Sequence, residues 1–406
     1  MHRCGTPSVI AGLGGVGADN PDCDLVQTNP TATYAPGVLW RIPVVVHVIS
    51  DTSGQGNLTD AQVQSQIAIL NEDYRAIAGT PGGTGVDTKI EFFLATTDPS
   101  GAATTGIRRY TNSTWFADGG SYWTTIAWNP QRYMNIYTNS AGGGGVLGYV
   151  PSLPQSGIAG TTQDRVVILW SAFGRNALGG APYNQGRTCT HEVGHFLGLY
   201  HTFQGGCGTT ACYTTGDLIC DTNAETTARF GCPTTATSCG TPDPIRNFMD
   251  YTDDTCMTGF SQEQARRMRC TLQSNRPLLY QLAGPIASAV ARTGTGNLNT
   301  SFTATAPRLG QSATAQAITF GTGYSAAAVY GYTGAATLPF NGYTILVDTN
   351  SAAVLQLPLQ VSTIVATWTY TVPNIAALAG LPIKTQSVLF GSTFALTNAM
   401  DLVVGN

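Results

Sequence analysis

Hydrophobic positions along this chain follow two rhythms. Arg41–Ile49 contains the continuous β-branched run Val44-Val45-Val46 and predicts a strand buried on both faces. A helix is expected from Thr59: Thr59 and Gln62 form a capping box, and Val63, Ile67, Leu70 and Tyr74 fall on one face. Ile90, Phe92 and Leu94 alternate as a second strand, and Met134–Tyr137 reads as a third. Val146–Val150 reads as an edge strand and Val166–Trp170 as another buried one. A last helix is expected from Ser261, capped through Gln264 and carrying Ala265, Met268 and Leu272. Together these predict a mixed sheet with helices packed on it.

From about residue 283 the rhythm changes. Short runs such as Tyr343–Val347 and Val365–Tyr370 recur about every ten residues, divided by Gly, Asn and Pro, and predict an antiparallel β-sandwich. The expected division is an α+β domain over 1–282, a linker over 283–300 that is rich in Gly, Thr and Asn from Ala291, and an all-β domain over 301–406.

Composition narrows the class. Only 10% of residues are charged, against about 25% in ordinary soluble domains, yet 42% are apolar, so the surface is Ser/Thr/Asn/Gly-rich and the chain folds. A net charge of -4 leaves no basic footprint for nucleic acid. No apolar stretch approaches the roughly 20 residues of a membrane span. Ten cysteines without any CxxC unit read as disulfides, hence as an exported protein. The opening Met1-His2-Arg3-Cys4 holds no signal peptide, so the expected form is a mature one, its export signal and any pro-segment removed.

The chemistry concentrates in His191-Glu192-Val-Gly-His195-Phe-Leu-Gly198-Leu-Tyr-His201. On a helix, His191 and His195 share one face and can present two imidazoles to one metal ion, with Glu192 in reach of a water beside it. Gly198 permits φ > 0, so the chain can turn there and bring His201 back as a third ligand. Three neutral imidazoles leave one position of Zn²⁺ open, the catalytic arrangement. Five fixed positions at this composition arise by chance in about one of a million such chains, so the match is read as mechanism.

The pattern H-E-x-x-H-x-x-G-x-x-H is the metzincin zinc signature, and Asn247-Phe248-Met249-Asp250-Tyr251 is similar to its Met-turn. With Tyr200-His201-Thr202-Phe203, Gly216-Asp217 through Asp221-Thr222, Asn184–Arg187 and Arg3-Cys4-Gly5-Thr6-Pro7, the chain resembles the pappalysin family over roughly residues 3–275. The resemblance implies an α+β zincin catalytic domain, followed here by the all-β domain. It implies a secreted zinc endopeptidase of the cytophagalysin/ulilysin-like kind, acting on protein or peptide substrates. His191, His195 and His201 would hold the zinc, which activates a water and polarises the scissile carbonyl. Glu192 would be the general base and then acid, Met249 the base of the site, and Tyr251 a donor to the oxyanion.

The same resemblance implies substrate pairing along the edge strand at Gly148 and Tyr149. It also implies a structural Ca²⁺ on oxygens of Gly216, Asp217, Cys220 and Thr222, with Asp221 a structural hydrogen bonder. Cys207–Cys239 and Cys232–Cys256 would be the family's shared bridges, with Cys212–Cys220 local and Cys189–Cys270 and Cys4–Cys23 as the remaining pairs. Members that cleave before Lys or Arg carry an acid immediately before the cysteine that follows the Met-turn. Thr255 stands there in this chain, which withdraws the expectation of basic specificity. The C-terminal part resembles the β-rich tail domains of exported bacterial proteins and is expected to bind a surface or polymer. Two alternatives remain open: a zinc hydrolase of non-peptide amides or esters, and an inactive metzincin-based binding protein.

Overall fold

The computed structural model describes residues 2–7, 23, 31–143, 145–208, 212–213, 215–282, 284, 287–373, 375 and 378–405. The chain divides into two compact units, Met1–Gln281 and Leu282–Asn406. Among the described residues no helix is long and apolar enough to cross a membrane.

In the first unit β1 (His2–Cys4) precedes β2 (Trp40–Ser50), the continuous apolar strand, which is buried almost throughout. Helix α1 (Asp60–Tyr74) follows, then β3 (Ile90–Leu94), β4 (Ile107–Thr111), and two single-turn helices, α2 (Ser113–Phe116) and α3 (Trp123–Ile126). Next come β5 (Met134–Asn139), β6 (Val146–Tyr149), β7 (Val166–Leu169), α4 (Arg187–Phe196) and α5 (Gln262–Asn275). Strand β2 pairs in parallel with β3, β4 and β5, and β5 in parallel with β7. Strand β6 runs antiparallel to its neighbour β7. The expected mixed sheet is therefore present, with β6 near its rim.

The α1 cap is half of a capping box. Thr59 accepts from Gln62 N, but the Gln62 side chain donates to Phe173 and Arg175 carbonyls. At Ser261 the box is complete. Helix α1 then clamps α4 through buried polar groups. Gln66 donates to Gly186 O at 3.0 Å, Asp73 receives Arg187 at 2.9 Å and Thr190 at 2.7 Å, and the Tyr74 hydroxyl reaches Thr190 O.

The second unit is a sandwich. Ser288–Arg292, Phe394–Val403, Pro382–Phe390, Ala326–Tyr332 and Ala353–Val361 form one sheet in that spatial order. Phe302–Ala304, Ser312–Ile318 and Val365–Thr371 form the other. Phe302, Val329, Leu357, Trp368, Leu389 and Leu402 are buried between them. The linker expected over 283–300 is corrected here: Ser288–Arg292 pairs antiparallel along the last strand, because its small side chains seat an edge strand despite the glycines that follow.

Three expected disulfides are formed, Cys207–Cys239, Cys212–Cys220 and Cys232–Cys256. Cys189–Cys270 and Cys4–Cys23 are not. Cys23 N–H lies 3.1 Å from the Cys270 sulfur, which puts Cys23 and Cys270 together in place of either expected pair, and Cys4 lies on the rim of the sheet.

Buried on β2, His47 stacks on Tyr137 at 4.5 Å and donates from Nε2 to Asn135 Oδ1 at 2.9 Å. Burial pulls its pKa down to about 4. The unfolded chain takes up this proton near pH 6.5, so stability held above that pH is lost as pH falls toward 4. The expected loss is about 3 kcal/mol, and His47→Gln should remove it. Denaturant unfolding of both proteins at pH 7 and 4.5 measures it, the difference between them cancelling the other histidines. Equal pH dependence in the two would refute the assignment.

Candidate active site

Helix α4 starts at Gly186, whose φ of 75° an L side chain rarely adopts, and is buried along its whole length. It ends at Leu197, and Gly198, at φ 93°, turns the chain back. A Cβ at Gly198 would strike the Thr271 hydroxyl of α5, so close packing as well as backbone angle demands glycine. That turn brings His201 against the helix. The Nε2 atoms of His195 and His191 lie 3.1 Å apart, and those of His195 and His201 3.0 Å.

The tautomers follow from the other ring nitrogens. His191 Nδ1 donates to Phe248 O at 2.7 Å and His195 Nδ1 to Leu199 O at 2.7 Å, which leaves both Nε2 lone pairs bare. Burial pulls His195 down to about 4 and holds His191 and His201 well below the usual range, so all three rings are neutral. Bare lone pairs at this separation repel unless a cation lies among them, and the donor set suits Zn²⁺.

The Met-turn floors this cluster. Asn247 and Gln264 of α5 exchange amide hydrogen bonds, and Asn247 Oδ1 accepts Met249 N at 2.9 Å. Met249 is fully buried, and a Cβ on Gly194 would stand 2.5 Å from its sulfur. Helix and turn thus pack at a distance only glycine allows.

A fourth side chain enters the cluster. Cys4 Sγ and the three histidines place their ligand atoms within 4.8 Å of one another, all buried. Strand β1 reaches this position by pairing in parallel with β6, Cys4 opposite Gly148, and Gly5 N donates to Gly148 O at 2.8 Å. The edge expected to receive substrate is therefore occupied by the chain's own residues 2–5. Gly148 itself lies against Glu192, whose Cγ would be 2.9 Å from an added Cβ. The Tyr149 hydroxyl is spent on Asp118 at 2.7 Å.

Residues 3–6 contact the general-base candidate, Tyr251 and Asp254. Thr6 donates to Glu192 Oε2 at 2.9 Å and accepts Val150 N at 3.0 Å. Burial pushes Glu192 up to about 8, opposed by hydrogen bonds from Cys4 and Thr6. The Tyr251 hydroxyl reaches Cys4 O at 3.4 Å, its ring packed against His191, His201 and Phe203. Arg3 is fully buried, donating to Asp254 at 2.8 Å and Thr252 O at 2.6 Å, with Tyr183 over its guanidinium. The other Asp254 oxygen accepts Gln185 N at 2.8 Å, ahead of α4.

Thr255 is exposed, and the buried Arg3 side chain meets Asp254, one position earlier. Sequence reasoning quoted Arg3-Cys4-Gly5-Thr6-Pro7 for the resemblance but gave Arg3, Thr6 and Asp254 no role at the site, and Cys4 only a disulfide. The signal was a lone cysteine beside an arginine far upstream of the histidines, which the even cysteine count assigned to a disulfide.

Asp217, expected on a cation, accepts Thr222 Oγ1 at 2.7 Å and Ile219 N at 3.1 Å, and burial pushes it up to about 7. Asp221 accepts Glu263 N at 2.9 Å at the start of α5, the structural role expected of it.

The chain is similar to known metalloproteases. A family model described as pregnancy-associated plasma protein-A matches residues 121–273. An extracellular metalloprotease of Pyricularia oryzae is 37% identical over 235 residues, covering 56% of this chain and 73% of its own length. Another, of Colletotrichum graminicola, is 36% identical over 252 residues, covering 59% and 79%. Mature mirolysin of Tannerella forsythia, solved with a cleaved peptide, superposes with a TM-score of 0.52 at 35% identity, covering 60% of this chain and 97% of that one. A promirolysin mutant superposes at 0.53 and 33%, covering 64% and 88%.

Proposed function

We infer a mechanism from the premise that the chain belongs to the pappalysin family of metzincin metallopeptidases and is a secreted zinc endopeptidase. His191, His195 and His201 would hold the zinc; the observation that carries this is the convergence of bare Nε2 atoms fixed by carbonyls behind the rings. Zinc held there supplies Lewis-acid activation of water and of the scissile carbonyl. Glu192 takes the proton of the attacking water on its carboxylate and returns it to the leaving amine. The Tyr251 hydroxyl donates to the oxyanion, from its place beside His191 and His201. Met249 supports the cluster from below without touching substrate.

In this reading residues 2–7 are an inhibitory segment. The Cys4 sulfur sits where a catalytic water has to be, Thr6 occupies the general base, and Arg3 fills the pocket of Asp254. Once the segment withdraws, an extended substrate pairs with β6 at Gly148 and Tyr149, and Asp254 meets a basic side chain. The C-terminal unit serves binding to a surface or polymer.

Calcium is assigned to the loop at Gly216, Asp217, Cys220 and Thr222. A buried carboxylate that accepts from Thr222 and the Ile219 amide, with the Arg267 charge also acting on it, is a hard-oxygen donor of the kind calcium takes.

Two experiments test these roles. Mapping cleavage of a peptide library should show Cys4→Ala more active than the parent, Glu192→Ala reduced at least about 100-fold, and a preference for basic residues that Asp254→Asn weakens. Cleavage surviving in Glu192→Ala would refute the peptidase mechanism; cleavage of esters alone would favour the non-peptide hydrolase. For calcium, a calcium-selective chelator should lower the parent's Tm and leave Asp217→Ala unmoved; equal shifts would refute the site.

A further inference from the structure

An aromatic surface beside the histidine cluster is used only in part by the chemistry above. The ring of Tyr251 packs edge-to-face with Phe203, at 4.9 Å, and with Phe230, at 5.9 Å. Phe203 in turn stacks on His201 at 4.7 Å. The three rings form a continuous apolar step that begins at a metal-binding histidine and ends at Phe230. That last ring is 54% exposed even though residues 2–7 occupy the cleft and Cys4 O lies at the Tyr251 hydroxyl. The inhibitory segment therefore leaves bare the far end of a surface it lies beside. Isolated exposed phenylalanines are ordinary, but this one continues the wall of a substrate cleft.

The loop that carries Phe230 is fixed on both sides of it. Arg229 N donates to Asp250 Oδ1 at 3.0 Å, and the Arg229 side chain donates to Asp243 at 2.7 Å. Gly231 O accepts Asp253 N at 2.9 Å, and Cys232 is bridged to Cys256. Asp250, Asp253 and Cys256 flank Tyr251 and Asp254 in sequence, so one stretch of chain sets the oxyanion donor, the acidic pocket and the position of Phe230 together. Phe230 is thus placed before substrate arrives, and an apolar group that covers it orders little further chain. We propose that Phe230 is a specificity-determining residue, which receives an apolar side chain of the peptide substrate, aromatic foremost, within two residues of the basic side chain that enters the Asp254 pocket. The inference rests on the peptidase reading above and adds a second subsite to it.

The test uses the full chain carrying Cys4→Ala. Cleavage of a peptide library should show apolar residues enriched at one position within two residues of the basic one. Two quenched fluorescent peptides that differ only in Phe or Ala at that position then give a ratio of kcat/KM. Phe230→Ser should lower this ratio at least about tenfold, chiefly through KM for the Phe peptide, and Phe230→Leu should keep most of it, with circular dichroism confirming that both variants fold. No enrichment in the parent, an unchanged ratio in folded Phe230→Ser, or equal losses on both peptides overturns the proposal. If no peptide is cleaved, the peptidase reading fails and the inference is read from binding. Fluorescein-labelled peptides with one arginine, and Phe or Ala at each flanking position in turn, are titrated into the chain carrying Glu192→Ala and Cys4→Ala. Tighter binding of a Phe peptide that Phe230→Ser abolishes supports the subsite alone, and equal binding of all the peptides overturns it.

Discussion

Three imidazole nitrogens converging to about 3 Å in a buried site, two of them with bare lone pairs, are the constraint on which the first unit depends. Such an array is unfavourable by itself: the lone pairs repel, and burial removes the water that would satisfy them. The surroundings make it persist. Carbonyls of Phe248 and Leu199 fix two of the rings, Gly198 lets the chain return with the third, and Met249 closes the floor at a distance that only Gly194 tolerates. Behind the helix, Gln66 and Asp73 of α1 fix its start, and Gln264 of α5 fixes the Met-turn.

The occupation of the cleft by residues 2–7 follows from the same geometry. A cluster that favours a cation also favours a soft sulfur donor once the cation is present, and β6 offers an open edge that an extended segment can pair with. Arg3 anchors this segment in a buried ion pair. The pair fixes register and identity more than it adds stability, because both charges have lost their hydration.

Much of this was legible in the sequence wherever the information is local. The continuous Val44–Val46 run, the Ser261 cap and the i, i+4 histidines depend on spacing along one element, and each appears as expected. The alternating strands of the second unit were legible for the same reason, although glycine-rich composition concealed Ser288–Arg292. Contacts distant in sequence were not legible. Cys4 meets histidines some 190 residues away, and Arg3 meets Asp254; no periodicity encodes either pairing. The Thr59 box failed halfway because Gln62 found better acceptors at Phe173 and Arg175, a tertiary competition that no local pattern contains. Substituting Thr255 for an acid suggested a pocket without charge, yet the backbone turns the neighbouring Asp254 inward.

The central claim is that His191, His195, His201 and the Cys4 sulfur share one metal ion. Replacing zinc by Co²⁺ in the full chain and recording its absorption spectrum tests this most directly. The account predicts tetrahedral cobalt bands together with a sulfur-to-cobalt charge-transfer band. Cys4→Ala should lose only the charge-transfer band, and His201→Ala the tetrahedral bands. A parent spectrum without sulfur ligation, or one unchanged by His201→Ala, would contradict it.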